Sequence, residues 1–243
     1  MTMQGLANPT RFVALANAVV PILWAATAGL FAVGLYLAIV AAPADYQQGE
    51  TVRIMFVHVP ASWLALLIYT IMAIASAVAI VFRHPLADAA AKTAAPIGAM
   101  FCFLALATGS LWGKPMWGAW WAWGDARLTS MFVLFLLYLG YIAVWQAIEE
   151  PHRAAMIARI VALAGFINVP IVKFSVEWWS TLHQPASVFR IGGPTIDPSM
   201  LWPLMVMALA YLVLFVTLLF VAMRSEIAAR KVRQMRIAEV ATK

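Results

Sequence analysis

Apolar residues along this chain run in six long stretches, near 19–42, 60–82, 94–112, 130–148, 160–176 and 200–223, broken by connections where polar, aromatic and charged residues gather. At roughly 17 to 24 residues each, the stretches can cross a hydrocarbon core of about 30 Å as helices. They lack the ten-residue alternation of a membrane β-barrel. The pattern predicts an all-α, polytopic integral membrane protein of about six transmembrane helices, a single membrane domain over 1–243. The first apolar run is too long for a signal peptide, so the chain is expected to stay whole although Ala42-Pro43-Ala44 looks like a cleavage site.

Six spans put both termini on one side, and lysine and arginine choose the side. Arg11, Arg83, Lys92, Arg153, Arg159 and the tail's Arg224, Arg230, Lys231, Arg233, Arg236 and Lys243 make eleven on the terminus side. Arg53, Lys114, Arg127, Lys173 and Arg190 make five on the other. The positive-inside tendency then makes both termini cytoplasmic, with the basic tail 224–243 deciding the margin. That tail is expected to meet anionic lipid or a cytoplasmic partner.

On the cytoplasmic side, connections 83–92 and 149–159 read as plain polar turns with solvated histidines, His84 and His152. On the outer side lie loop 43–59, the segment 112–129 and loop 177–199. In the first, Val52, Met55, Phe56 and Val59 recur at helical spacing in the interface and lead to His58, just outside the membrane, with Pro60 in the first turn of the second span. In the fifth span Pro170 should kink or shorten the helix. Lys173 and Glu177, four residues apart there, either pair on one face or serve a ligand.

Composition sharpens this reading. Hydrophobic residues are 65% of the 243 and charged ones 11%, which excludes a water-soluble globule, and nothing in the sequence suggests a nucleic-acid partner. The single cysteine, Cys102, cannot form an internal disulfide and reads as a small core residue, and no Cys-x-x-Cys-His is present to attach c-type haem. Five of the 11 tryptophans, Trp112, Trp117, Trp120, Trp121 and Trp123, crowd the connection that ends in Asp125 and Arg127. Indoles suit a membrane interface or a flat aromatic ligand.

Of four histidines, the helix count leaves His58 and His183 outside, in the company of that tryptophan segment. Two neutral imidazoles are the donor set of a six-coordinate low-spin haem iron, and flat apolar walls suit a porphyrin. Arg127, Arg53, Lys114 or Arg190 could meet the propionates. Zinc would want a third or fourth ligand, and the chain carries no phosphate-binding loop, so any ATP-driven step falls to a partner. No paired carboxylates or Ser-His-Asp grouping suggests hydrolysis.

The residues Trp117-Gly118-Ala119-Trp120-Trp121-Ala122-Trp123 and Asp125-Ala126-Arg127-Leu128-Thr129 resemble the tryptophan-rich WWD domain of haem-handling proteins. Together with His58-Val59-Pro60 and the run from Pro170 through Trp178-Trp179 to His183-Gln184, they make the chain similar to the CcmC family, haem-delivery subunits of the system I cytochrome c maturation pathway. The larger CcmF and CcsA types fit less well in length. One departure is Gly124, which separates Trp123 from Asp125 where the family pattern runs tryptophan directly into aspartate.

The resemblance implies a bacterial inner-membrane protein with periplasmic functional loops that binds haem b. His58 and His183 would be the axial ligands, and Trp117, Gly118, Trp120, Trp121, Trp123 and Asp125 the platform, with Arg127 at its rim. It also implies presentation of haem to the chaperone CcmE and assembly with CcmA, CcmB and CcmD. The subunit would act as a template more than as an acid–base enzyme. Two other classes remain open on the residues alone: a secondary permease with Lys173 and Glu177 in the substrate path, and a structural subunit whose tryptophans only anchor loops.

Overall fold

Helix starts in this chain follow from the residues that cap them. In the computed structural model, which describes residues 8–241, Asn8 accepts from the amides of Thr10 (2.9 Å) and Arg11 (3.3 Å), Pro9 takes the first helical position, and helix α1 runs Pro9–Tyr36. A π turn, Leu37–Ala41, finishes it. Arg53 reaches back from the next connection and donates to the carbonyls of Ala38 (2.8 Å) and Ala42 (3.1 Å), oxygens at the helix end that need an outside partner.

After a 3-10 turn at Glu50–Ile54 come α2, Met55–Phe82; α3, Pro85–Trp117; α4, Ala126–Ala147; α5, Pro151–Gly165; α6, Asn168–Trp178; and α7, Pro198–Ala241. Helices α5 and α6 form one broken span, so the described residues hold six helical passages long and apolar enough to cross a membrane. The break is the work of Pro170. Without an amide hydrogen it cannot bond the Phe166 carbonyl, and that oxygen instead accepts from Val169 at 3.0 Å. Residues 1–7 and, in the tail, Thr242 and Lys243 lie outside the described residues.

Several sequence expectations are corrected here. The turn expected over 83–92 shrinks to Arg83 and His84, because Pro85 opens α3 and Asp88 pairs with Arg159 through two hydrogen bonds. His84 is half-buried, its Nδ1 unpartnered, while His152 is exposed as expected. The turn expected over 149–159 ends at Glu150, which accepts from the amides of His152 (2.7 Å) and Arg153 (2.5 Å) and caps α5. Val52 and Phe56 are buried in the core, with Met55 and Val59 packed against it, and α2 starts at Met55, so Pro60 lies inside it. His58 is therefore helical. No ion pair joins Lys173 to Glu177 among the described residues.

Helix α2 packs along α3, α1 along α7, and α4 bridges α3 to the broken span. The rings of Tyr69 and Tyr138 meet edge to face at 5.0 Å, and the Tyr138 hydroxyl donates to the Ala65 carbonyl at 2.7 Å. Gly98 lies against the Tyr138 ring and Gly165 against the Tyr69 hydroxyl, so a Cβ at either position would overlap them. Small residues at crossings let helices approach where lipid supplies no hydrophobic drive between them.

Candidate functional site

Three connections converge at one end of the bundle. Trp112 in the last turns of α3 donates from Nε1 to Gln48 Oε1 of the first connection at 3.0 Å. Trp117 and His183 bring the second and third together, their rings 4.9 Å apart and edge to face. Between them opens a cavity of about 320 Å³ into which both His58 and His183 project.

His58 belongs to the first turn of α2. Its Nδ1 donates to the Ala105 carbonyl at 2.9 Å and lies 3.1 Å from Thr108 Oγ1, whose own hydrogen goes to the Leu104 carbonyl at 2.6 Å. These acceptors fix the proton on Nδ1 and leave the lone pair on Nε2. Trp112 meets the imidazole edge to face at 5.8 Å. Gly109, four residues after Ala105 on the same face, makes room for the ring: a Cβ there would stand 2.9 Å from His58 Cε1.

His183 sits on the loop after α6. Its Nδ1 is buried and lies 3.2 Å from Asp125 Oδ1, at ion-pair distance but off the line of a hydrogen bond. Burial lowers its pKa below the ordinary histidine value; Asp125 opposes that shift and Arg127 adds to it, so the ring is a neutral donor near pH 7.

The tryptophan segment divides in two. Trp112 and Trp117 line the cavity. Trp121 turns toward the core and forms an edge-to-face cluster with Trp123 and Phe132, its Nε1 unpartnered, while Trp120 and Trp123 are exposed. Gly118 ends α3 in the left-handed conformation, φ 75°, which a glycine adopts freely. Asp125 is not on the cavity wall. It is buried, caps α4 by accepting from the Leu128 amide at 2.8 Å, and accepts from the Leu182 amide at 2.7 Å.

The cationic residues sort the same way. Arg127 and Lys173 line the cavity, with Glu177 one turn beyond Lys173. Arg127 is steered there by α6, donating to Ser175 Oγ at 3.2 Å and to the Lys173 carbonyl at 3.3 Å. Arg53 is occupied by Ala38, Ala42 and Glu50, and Lys114 by the Gly118 carbonyl at 3.0 Å. Arg190 is not part of the lining. Sequence reasoning missed the supports of His58 at Ala105, Thr108 and Gly109. No motif marks them, because their role depends on how α3 faces α2.

A six-pass helical membrane protein with two imidazoles and three indoles, those of Trp63, Trp112 and Trp117, around a cavity at one end of its bundle is the class that fold and site define. The chain belongs to the CcmC family, described as Heme exporter protein C, whose match covers residues 2–238. It is 60% identical over 237 residues to Heme exporter protein C of Bradyrhizobium diazoefficiens, covering 98% of this chain and 89% of that one. Heme exporter protein C of Escherichia coli K12 is 42% identical over 242 residues, covering 100% and 97%. A ccmC-like mitochondrial protein of cytochrome c biosynthesis from Marchantia polymorpha is 51% identical over 175 residues, 72% of this chain and 73% of its own.

Proposed function

We propose that this protein holds haem b at the periplasmic face of the bacterial inner membrane and presents it to the chaperone CcmE during c-type cytochrome assembly, in a complex with CcmA, CcmB and CcmD. Haem here is cargo. The observation that carries the reading is the opening of His58 and His183 onto one cavity walled by Trp112 and Trp117, with Arg127 and Lys173 on its lining. The names of the relatives, Heme exporter protein C, support it.

The residues fit the cargo by their protonation. His58 Nδ1 is engaged by Ala105 and Thr108, which leaves Nε2 to meet iron. His183 is neutral near pH 7 and keeps a lone pair for the same purpose. Arg127 and Lys173 are the cations placed to hold the propionates, and Glu177 beside them offsets part of that charge. The exposed Trp120 and Trp123 offer an apolar ledge beside the site on which a chaperone could dock. The protein's part is to bind and orient, so the transfer gains from positioning and needs no acid–base group of this chain.

Detergent-purified protein is expected to carry non-covalent b-type haem, with His58→Ala and His183→Ala each altering its spectrum and His84→Ala leaving it unchanged. Identical spectra for all three variants would remove the ligand assignment.

A further inference from the structure

The two imidazoles differ in what stands behind them. His58 Nδ1 faces a neutral carbonyl and a hydroxyl, at 2.9 and 3.1 Å. Behind His183 Nδ1 stands the carboxylate of Asp125, at 3.2 Å, with 1% of its side chain exposed. Three nitrogens converge on that carboxylate: Leu128 N on Oδ1 at 2.8 Å, Leu182 N on Oδ2 at 2.7 Å, and His183 Nδ1 on Oδ1. Capping α4 needs only one acceptor oxygen, which serine, threonine or asparagine supplies equally well. The two amides take one oxygen each, and among side chains this short only aspartate offers two acceptor oxygens together with the negative charge that stands behind His183 Nδ1.

We infer that Asp125 is a positioning residue: its buried carboxylate keeps His183 protonated on Nδ1, turns Nε2 to the cavity, and makes the two imidazoles unequal iron donors. The inference rests on the haem-binding reading above and departs from the platform role that family resemblance gives this aspartate. A carboxylate behind a ligating imidazole fixes its tautomer and raises its basicity, whereas a carbonyl fixes the tautomer with less charge. The turn closed by Asp125 N on the Ala122 carbonyl at 3.0 Å aims the carboxylate inward, and Gly124, exposed within that turn, meets no side chain. The same carboxylate ties the amide next to His183 to the start of α4, joining the histidine loop to the end of the tryptophan segment.

Asp125→Asn isolates the effect, because asparagine still caps α4 yet removes the negative charge behind His183 and replaces one acceptor oxygen with a donor. In haem-free protein with labelled histidines, nitrogen NMR should find His183 as the Nδ1–H tautomer in wild type and as a mixture in Asp125→Asn. In loaded protein the variant should bind haem about 10- to 100-fold more weakly and shift the midpoint potential to more positive values, since a less basic ligand favours ferric iron less. Asp125→Glu should recover the potential in part. A variant with wild-type tautomer, affinity and potential, in a protein whose His183→Ala form loses haem, overturns the inference and leaves the haem reading intact. If His183→Ala keeps the wild-type haem spectrum, the reading itself fails and the inference falls with it. A wild-type His183 protonated on Nε2 contradicts the inference even if Asp125→Asn does not fold.

Discussion

At the scale of single residues, the site depends on space and protonation. Gly109 is the clearest case of space. Alanine is a better helix former than glycine by about 1 kcal/mol, which offsets part of the cost of crowding, so Gly109→Ala should stay folded with a melting temperature near or somewhat below that of wild type. Its Cβ, however, would stand 2.9 Å from the His58 ring and push it off the cavity. The expected outcome is a folded protein with reduced haem content; unchanged haem content would show that the ring position is not critical. Protonation gives a sign that can be checked. Because the His183 pKa is lowered in the fold, the unfolded chain binds more protons as pH drops through about 6.5. That contribution to haem-free stability is therefore fully present above this pH and declines below it. On acidification through this range the melting temperature of wild type should therefore fall relative to that of His183→Gln, which takes up no proton there. His58 and His183 were legible in the sequence because the helix count leaves them on one side. Their backing groups were not, since a carbonyl at position 105 or a carboxylate at 125 acquires its role only when helices face each other.

Among the elements, the break between α5 and α6 has the most consequence for the site. Pro170 stops α5 one turn early, and α6 then brings Ser175 Oγ and the Lys173 carbonyl to the Arg127 guanidinium. Pro170→Ala restores a helix donor and should let the span straighten. The Arg127 grip would loosen, haem would be held more weakly, and helix content by circular dichroism would stay equal or rise. Unaltered affinity in a straightened span would separate Arg127 placement from the break. The proline could be read from the sequence, but the partner of its broken helix could not. Helix ends were misplaced for a related reason: capping by Pro85, Glu150 and Asn8 extends helices past the apolar stretches into polar sequence. Hydropathy finds the part of a helix that crosses lipid, whereas hydrogen bonding at the caps decides where it begins.

For the molecule as a whole, the bundle is held at its crossings by close helix approach. Tyr69 and Tyr138 lock α2 against α4 and α5, over glycines 98 and 165. Gly165→Val should force the Tyr69 hydroxyl aside and destabilise by about 1–3 kcal/mol, as overpacking does, visible as a lower melting temperature in detergent. The same architecture returns loops 43–59, 112–129 and 177–199 to one end of the bundle, which is why a six-span reading of hydropathy could anticipate a shared site. What it could not anticipate is the division of the tryptophan segment, with Trp112 and Trp117 on the cavity wall beside Trp63 of α2 and Trp120, Trp121 and Trp123 facing core or surface, because helical phase and loop turns decide it. Haem binding as proposed requires both imidazoles to reach one iron. Electron paramagnetic resonance of the ferric, detergent-purified protein tests this directly. A low-spin bis-imidazole signal is expected, turning high-spin in His58→Ala and in His183→Ala and returning to low-spin when free imidazole is added to either. A low-spin signal that persists in one of those variants without added imidazole would contradict it.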